Sequence, residues 1–305
     1  MMSKREMENK VCFMFAGIGE DYRKKMDKLS DEQLAEIQEL SEKAEKEFGI
    51  KILDCLMSSE DVRYDNLTIW SSIYTCDYVV CKTYRKAGIE PELFMGYSMG
   101  LITAIASGDG IDYLDGIRIL KAILKYHKGE HPESMATVIG FDTQELLELL
   151  QKHGIEEVFP ACINNEYCIV VSGLRESVEK TMEMVKENGA LKVHPIPTDF
   201  AFHTHYFKDG IEILEDCVKQ IAVRDLEIPI LSSITQKVLK NKEDLRTELV
   251  QNMYSVMKWK DSIETACEMG CNIFYEASLG KGLVKCSRVI NTDCSFYGYD
   301  RLRKQ

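Results

Sequence analysis

The stretch that decides the fold is residues 93–105, with the sequence LFMGYSMGLITAI. It begins as a short apolar strand, passes through Gly-x-Ser-x-Gly at residues 96–100 and continues as a helical pattern. This pattern is typical of a nucleophile elbow, a tight turn that presents a serine at the N-terminus of a helix. Gly96 and Gly100 keep the turn free of side chains. The pattern predicts Ser98 as a nucleophile and the Met99 N–H as one donor of an oxyanion hole.

Four apolar runs elsewhere in the chain indicate the fold class. They are residues Val11–Phe15, Leu93–Met95, Ile228–Leu231 and Ile273–Tyr275. Apolar residues that are continuous rather than alternating are typical of parallel strands buried on both faces. Three amphipathic segments between them are predicted as helices, namely Ser30–Phe48, Ile69–Ala87 and Leu114–Tyr126. We therefore predict an α/β protein with an α/β-hydrolase-like core built on a parallel sheet.

The segment from residue 133 to residue 197 has a different pattern. Strand-like residues 136–140, 168–172 and 191–195 alternate with helical residues 143–153 and 177–189, and Pro195 and Pro197 mark the exit. This order predicts a small βαββαβ layer. We expect an inserted ferredoxin-like α+β subdomain at 133–197, and a hydrolase-like core at 1–132 and 198–305.

Composition excludes several classes of function. The chain has 305 residues and a formal net charge of −12, which argues against a nucleic-acid partner because such binding needs basic surface. No run of 18 apolar residues occurs, so we expect no membrane span. The 11 cysteines have no metal-ligand or disulfide spacing, so we expect reduced thiols in a cytoplasmic protein and no bound metal. We also expect a monomer.

A serine needs a base, and six histidines are available. Four of them, His127, His131, His153 and His194, lie in charged or strand-like surroundings and are predicted to be solvated or structural. His203 and His205 follow the exit from the small segment, where the chain returns to the core. A cleft is expected at that point.

Several ordered motifs over nearly the whole chain resemble the malonyl-CoA:acyl-carrier-protein transacylase family, which includes the acyltransferase domains of fatty acid and polyketide synthases. Residues 15–19, Phe-Ala-Gly-Ile-Gly, stand where the family has Phe-Pro-Gly-Gln-Gly. The elbow stands at its Gly-His-Ser-x-Gly, and Phe200-Ala201-Phe202-His203 stands at its His-Ala-Phe-His. Further matches are Asn164, Val170–Gly173, Pro229, Ser232, Asn252, Trp259 and Tyr275–Leu283.

The resemblance implies acyl transfer by a Ser98–His203 dyad. The serine would attack an acyl-CoA thioester with His203 as general base and pass the acyl group to the phosphopantetheine thiol of an acyl carrier protein. The N–H groups of Ile18 and Met99 would form the oxyanion hole, and the Asn252 side chain or carbonyl would orient His203. No cofactor is implied beyond these thioester substrates.

The chain departs from the family where substrate is selected. The arginine that pairs with the malonyl carboxylate in the family falls on Ile123, whereas Arg118 matches an outward-facing position. Tyr97 replaces the histidine before the nucleophile, Leu101 replaces a glutamate, and Trp70-Ser71 replaces a Gln-Pro pair. We expect an acyl pocket lined by Ile123, Phe202 and Tyr97 that does not select malonyl, unless a shifted register brings Lys121 or Lys125 into that place.

Three further functions stay open at this stage. An editing thioesterase of the same fold would use the same dyad and release the acyl group to water. A non-catalytic scaffold protein is disfavoured because Ser98 and His203 are both present. A general serine esterase is disfavoured because no Asp/Glu–His pair is found in the order expected after an ordinary hydrolase elbow.

Overall fold

The computed structural model describes residues 9–125 and 131–304. Its strands are β1 (Lys10–Phe15), β2 (Leu93–Gly96), β3 (Glu133–Ile139), β4 (Val158–Asn165), β5 (Cys168–Leu174), β6 (Lys192–Ile196), β7 (Ile230–Leu231), β8 (Val238–Leu239), β9 (Met257–Lys258), β10 (Cys271–Glu276) and β11 (Ser295–Tyr297). Its α-helices are α1 (Asp31–Phe48), α2 (Ile52–Met57), α3 (Asn66–Lys86), α4 (Gly100–Ser107), α5 (Tyr113–Leu124), α6 (Thr143–His153), α7 (Arg175–Glu187), α8 (Glu212–Gln220), α9 (Lys242–Gln251), α10 (Trp259–Glu268) and α11 (Gly282–Ser287). Three 3-10 helices span Tyr22–Lys28, His205–Lys208 and Tyr299–Lys304.

The main sheet has the strand order β11-β10-β1-β2-β7-β8. The first five strands run parallel, and only β8 pairs antiparallel with its neighbour β7. Residues 12–15 of the central strand β1 are fully buried, as their continuous apolar sequence predicts. The α/β class and the parallel sheet are confirmed. The short edge strands β8 and β11 were not predicted.

Residues 133–196 form a second, smaller sheet in the order β6-β3-β5-β4. Neighbouring strands among these four are antiparallel, and helices α6 and α7 connect them as strand–helix–strand–strand–helix–strand. Three of these four strands were predicted from the sequence, and β4 was not. The two-residue strand β9 comes from the C-terminal third of the chain and pairs parallel with β4. The domain boundaries at 133 and 197 stay a prediction.

Helix caps explain where the predicted helices differ from the observed ones. α1 begins after Ser30, which forms a capping box with Gln33. α3 begins three residues earlier than predicted because the Asp65 side chain accepts from the Thr68 N–H and caps the helix there. α5 spans Tyr113–Leu124, and the predicted end at Tyr126 lies outside the described residues, as does His127.

Helix α3 is 21 residues long and carries an apolar face that packs against the elbow helix α4. It holds Trp70, Ile73 and Tyr74 buried, and Trp70 lines the pocket that contains Ser98. In residues 9–125 and 131–304, no helix combines the length and the apolar character needed to cross a bilayer.

Candidate active site

Ser98 lies in the turn between the last residue of β2, Gly96, and the first residue of α4, Gly100. Its backbone has φ 54°, in the left-handed region that non-glycine residues seldom adopt. A Cβ on Gly96 would lie 2.3 Å from the Leu101 Cα, and one on Gly100 would lie 2.1 Å from the Phe15 carbonyl oxygen. The two glycines are therefore required by backbone contacts on both sides of the turn.

Ser98 and His203 are brought together although 105 residues separate them. The Ser98 Oγ lies 2.9 Å from the His203 Nε2. The His203 backbone has φ 63°, and its N–H donates to the Met253 carbonyl at 2.7 Å. The other ring nitrogen, Nδ1, lies 3.2 Å from the Ser255 carbonyl oxygen. A proton on Nδ1 donates to that carbonyl, which leaves Nε2 free to accept the serine proton.

The imidazole of His203 is 2% exposed. Burial lowers its pKa to about 4, although the backbone carbonyls of Ser255 and Asn252 partly favour the protonated ring. His203 is therefore neutral at pH 7, as a general base must be before it takes a proton. The neighbouring His205 is exposed, and its ring packs against Phe159 at 4.9 Å between ring centres.

The Asn252 side chain contacts Ser98, the other residue of the Ser98–His203 pair. Its side-chain Nδ2 donates to the Ser98 carbonyl oxygen at 3.0 Å, so the amide holds the elbow and does not contact the imidazole. Of the two alternatives predicted for Asn252, the side chain makes no hydrogen bond to the His203 ring that is seen among the described residues. The backbone carbonyl of Asn252 does act on the ring. The contact of Ser255 with His203 was not predicted, because any residue can supply a backbone carbonyl and the sequence does not indicate which one does.

The two predicted oxyanion donors lie on either side of the elbow. Met99 directly precedes α4, and Ile18 lies in the loop after β1. That loop packs closely on the turn, because a Cβ on Gly17 would lie 3.3 Å from the Ser98 Cβ. In the part of the chain that the structure describes, neither N–H donates to a backbone carbonyl. Both remain able to bind a developing oxyanion.

A small apolar pocket of about 20 Å³ lies beside Ser98. Its lining residues are Ile18, Trp70, Met99, Leu120, Ile123, Phe202 and Met253. Ile123 and Phe202 lie where the sequence analysis expects them, and both are almost fully buried. Of the described residues, those that line this pocket carry no charge.

Tyr97 lies on a different side of the nucleophile, so its assignment to the acyl pocket is not supported. Successive residues of a tight turn point in different directions, and the Tyr97 hydroxyl donates to the Asn164 Oδ1 of β4 at 2.8 Å. Its ring packs edge-on against Trp259. Tyr97 lines a larger cleft of about 390 Å³, bounded by the β1–α1 loop, by β4 to β6 and by α11. This cleft leads from the elbow towards the small sheet.

The cations of helix α5 point away from Ser98. Arg118 pairs with Asp115 at 2.5 Å and with Glu47 at 2.6 Å, in agreement with its predicted outward position. Lys121 lies over the Phe48 ring at 5.6 Å from the centre. Lys121 and Lys125 both line a separate surface groove that does not include Ile123. Neither lysine lines the small pocket beside Ser98.

Comparisons with known proteins identify the family of this chain. The family model described as "Acyl transferase domain" matches residues 13–285. The malonyl CoA-acyl carrier protein transacylase of Bacillus subtilis is 26% identical over 287 residues, covering 91% of this chain and 90% of that protein. The Escherichia coli K12 protein of the same name is 26% identical over 215 residues, covering 68% and 69%.

Solved structures show the same fold. An acyl-carrier-protein S-malonyltransferase from Burkholderia pseudomallei has a TM-score of 0.86 at 20% identity, covering 97% of this chain and 100% of that one. A malonyl transacylase solved in complex with a type II polyketide synthase acyl carrier protein has a TM-score of 0.81 at 18% identity, with 95% of each chain covered. Because the family model matches residues 13–285, this chain belongs to the acyl transferase domain family. It is similar in sequence and fold to the malonyl transacylases described above.

Proposed function

We propose that this protein transfers an uncharged acyl group from a CoA thioester to an acyl carrier protein through an ester on Ser98. The observation that carries the proposal is the 2.9 Å contact between Ser98 Oγ and the neutral His203 Nε2, next to a pocket whose lining residues, among those that the structure describes, carry no charge. A serine within hydrogen-bond reach of an oriented neutral base is equipped for nucleophilic attack.

In the first half-reaction, Ser98 Oγ attacks the thioester carbonyl and His203 Nε2 takes its proton. The N–H groups of Ile18 and Met99 stabilise the oxyanion. The C–S bond then breaks, and the CoA sulfur leaves with the proton that His203 returns. The second half-reaction reverses these steps with the carrier thiol as nucleophile.

Acyl-CoA and the phosphopantetheine of the carrier are substrates in this proposal, and no bound cofactor takes part. The cleft of about 390 Å³ that includes Tyr97, the residue before Ser98, supports this assignment, since an extended thiol arm needs an open cleft near the nucleophile. The names of the relatives agree on the acceptor, because they name an acyl carrier protein, whereas the group that they name is malonyl. A protein partner of this kind also fits a chain with a net charge of −12 better than nucleic acid does.

The proposed preference for uncharged acyl groups depends on Ile123. A malonyl group would bring a carboxylate into the apolar pocket without a partner. Leaving one charge of a buried ion pair unmatched costs about 3 kcal/mol or more, which corresponds to at least a hundredfold in rate if the cost falls on the transition state. Acetyl has no such cost.

The test is an intact-mass measurement in two steps. Incubation with acetyl-CoA is expected to add one acetyl group to the wild-type protein and none to Ser98→Ala. Addition of holo-acyl carrier protein is then expected to remove the acetyl group from the enzyme. The same acetyl group is expected to be found on the carrier. If the adduct instead decays equally fast without carrier, the same dyad works as an editing hydrolase and the transferase proposal is wrong.

A further inference from the structure

The acyl pocket next to Ser98 is closed on one side by the Trp70 side chain. Trp70 is 5% exposed and borders both the small pocket of about 20 Å³ and a second, larger pocket of about 300 Å³. Ile18 is the other residue that borders both. The indole therefore lies between the space that contacts the nucleophile and a space that is fifteen times larger.

Trp70 is held in place from both ends. Its backbone belongs to the second turn of α3, which the Asp65 side chain caps through the Thr68 N–H. Its ring packs against Phe202 at 5.8 Å and against Phe200 at 6.2 Å between ring centres. Close aromatic packing of this kind restricts the rotamers that the indole can adopt.

The larger pocket can accept a neutral chain. Apolar side chains of Leu56, Ile69 and Ile73 form part of its wall. Arg23 also lines this pocket, and its guanidinium group forms an ion pair with Asp21 at 2.7 Å. The same group donates hydrogen bonds to the backbone carbonyls of Ser59, Glu60 and Val62. Because that cation has its partners, it offers no free charge to an acyl carboxylate, whereas methylene groups would find apolar contacts.

We propose that Trp70 is the residue that limits acyl-chain length, by separating the Ser98 pocket from this larger pocket. The inference rests on the proposed acyl-Ser98 intermediate and goes beyond it, since it concerns which neutral acyl groups are accepted. A short group such as acetyl fits beside Ser98 in front of the indole. A chain of six or more carbons needs the space behind it.

The test compares chain-length profiles of acyl-enzyme formation with acetyl-, butyryl-, hexanoyl- and octanoyl-CoA, followed by intact mass. The wild-type rate is expected to fall steeply between butyryl and hexanoyl. Trp70→Leu is expected to raise the hexanoyl-to-acetyl rate ratio at least tenfold, since each methylene that becomes buried favours binding by about fourfold. Trp70→Phe keeps a large ring in place and is expected to retain a profile close to wild type.

Phe207→Leu is the matched control. Phe207 is buried and packs on Phe202 at 5.2 Å, but it borders neither pocket, so this variant loosens the same aromatic cluster without opening the wall. Its chain-length profile is expected to be that of the wild type. A shift as large as that of Trp70→Leu would show that general loosening, and not the wall, sets chain length.

Two other results would overturn the inference. One is a wild-type protein that loads octanoyl as fast as acetyl. This measurement does not depend on whether any variant folds. The other is a folded Trp70→Leu protein that loads acetyl but keeps the wild-type profile. A wild-type protein that forms no adduct with any of the four thioesters would instead contradict the acyl-Ser98 proposal itself.

Discussion

Replacing Gly100 with alanine tests whether the elbow depends on close backbone packing. The added Cβ would lie 2.1 Å from the Phe15 carbonyl oxygen and 2.6 Å from its carbonyl carbon. This is about 1.3 Å short of ordinary contact, and Phe15 is fully buried in the central strand β1. Neither side can move without displacing the strand or the helix, so we expect a loss of roughly 3 kcal/mol in the free energy of unfolding.

Activity is expected to fall as well. Any relief of the clash moves α4 away from β1, and with it Ser98 and the Met99 N–H. A displacement of about 1 Å in a reacting group can cost on the order of a hundredfold in rate. The acetylation rate of Gly100→Ala, followed by intact mass, is expected to drop by about that factor in protein that is still folded.

Gly108 supplies the control at the other end of the same helix. A Cβ there would lie 3.1 Å from the Leu226 Cδ2, the end of a flexible side chain. We expect Gly108→Ala to change the unfolding free energy by less than about 1 kcal/mol and to leave acetylation unchanged. Equal urea midpoints and equal acetylation rates for the two variants would refute the packing argument for the elbow.

Three further predictions concern the titrating and catalytic groups. Ser98→Ala and His203→Ala are each expected to abolish adduct formation in folded protein, while His205→Ala keeps most of it; a reversed order for the histidines would assign the base to His205. Burial lowers the pKa of His203 to about 4, so the acetylation rate is expected to stay level from pH 8 to about pH 5 and to halve near pH 4. A midpoint of the pH–rate profile near 6.5 would contradict the burial of this histidine. Burial raises the pKa of Glu248 to about 7 from its ordinary 4.5, so its contribution to stability is present below pH 4.5 and is lost as the pH rises through 7. Urea titrations at pH 5 and pH 8 are expected to show a smaller pH-dependent loss for Glu248→Gln than for wild type, and an equal loss would refute this assignment.

Long apolar elements could be predicted from the sequence, because burial on both faces leaves a continuous signal. β1, β2 and β10 were located this way, and α6 was predicted at Thr143–His153 as observed. The two-residue strands β7, β8 and β9 carry too few residues for any period to appear, so only part of the run at 228–231 was found to be a strand.

The candidate site shows which kinds of residue can be found from sequence. Ser98 has a local turn pattern, whereas Ile123 was assigned through the resemblance to a known family, at the position of that family's arginine. The partnership with His203 required the resemblance to a known family, since 105 residues intervene. Ser255 contributes a backbone carbonyl, which any residue could supply. Tyr97 was misplaced because the direction of a side chain in a tight turn is set by tertiary contacts, here with Asn164.

The central claim is that Ser98 accepts an uncharged acyl group in a pocket where Ile123 replaces a cation. The most direct test is the ratio of the wild-type acylation rates with acetyl-CoA and malonyl-CoA, measured by intact mass under identical conditions. The unpaired carboxylate predicts that acetyl is faster by at least about a hundredfold. A wild-type protein that loads malonyl as fast as acetyl, or faster, would contradict the claim and show that another group meets the carboxylate.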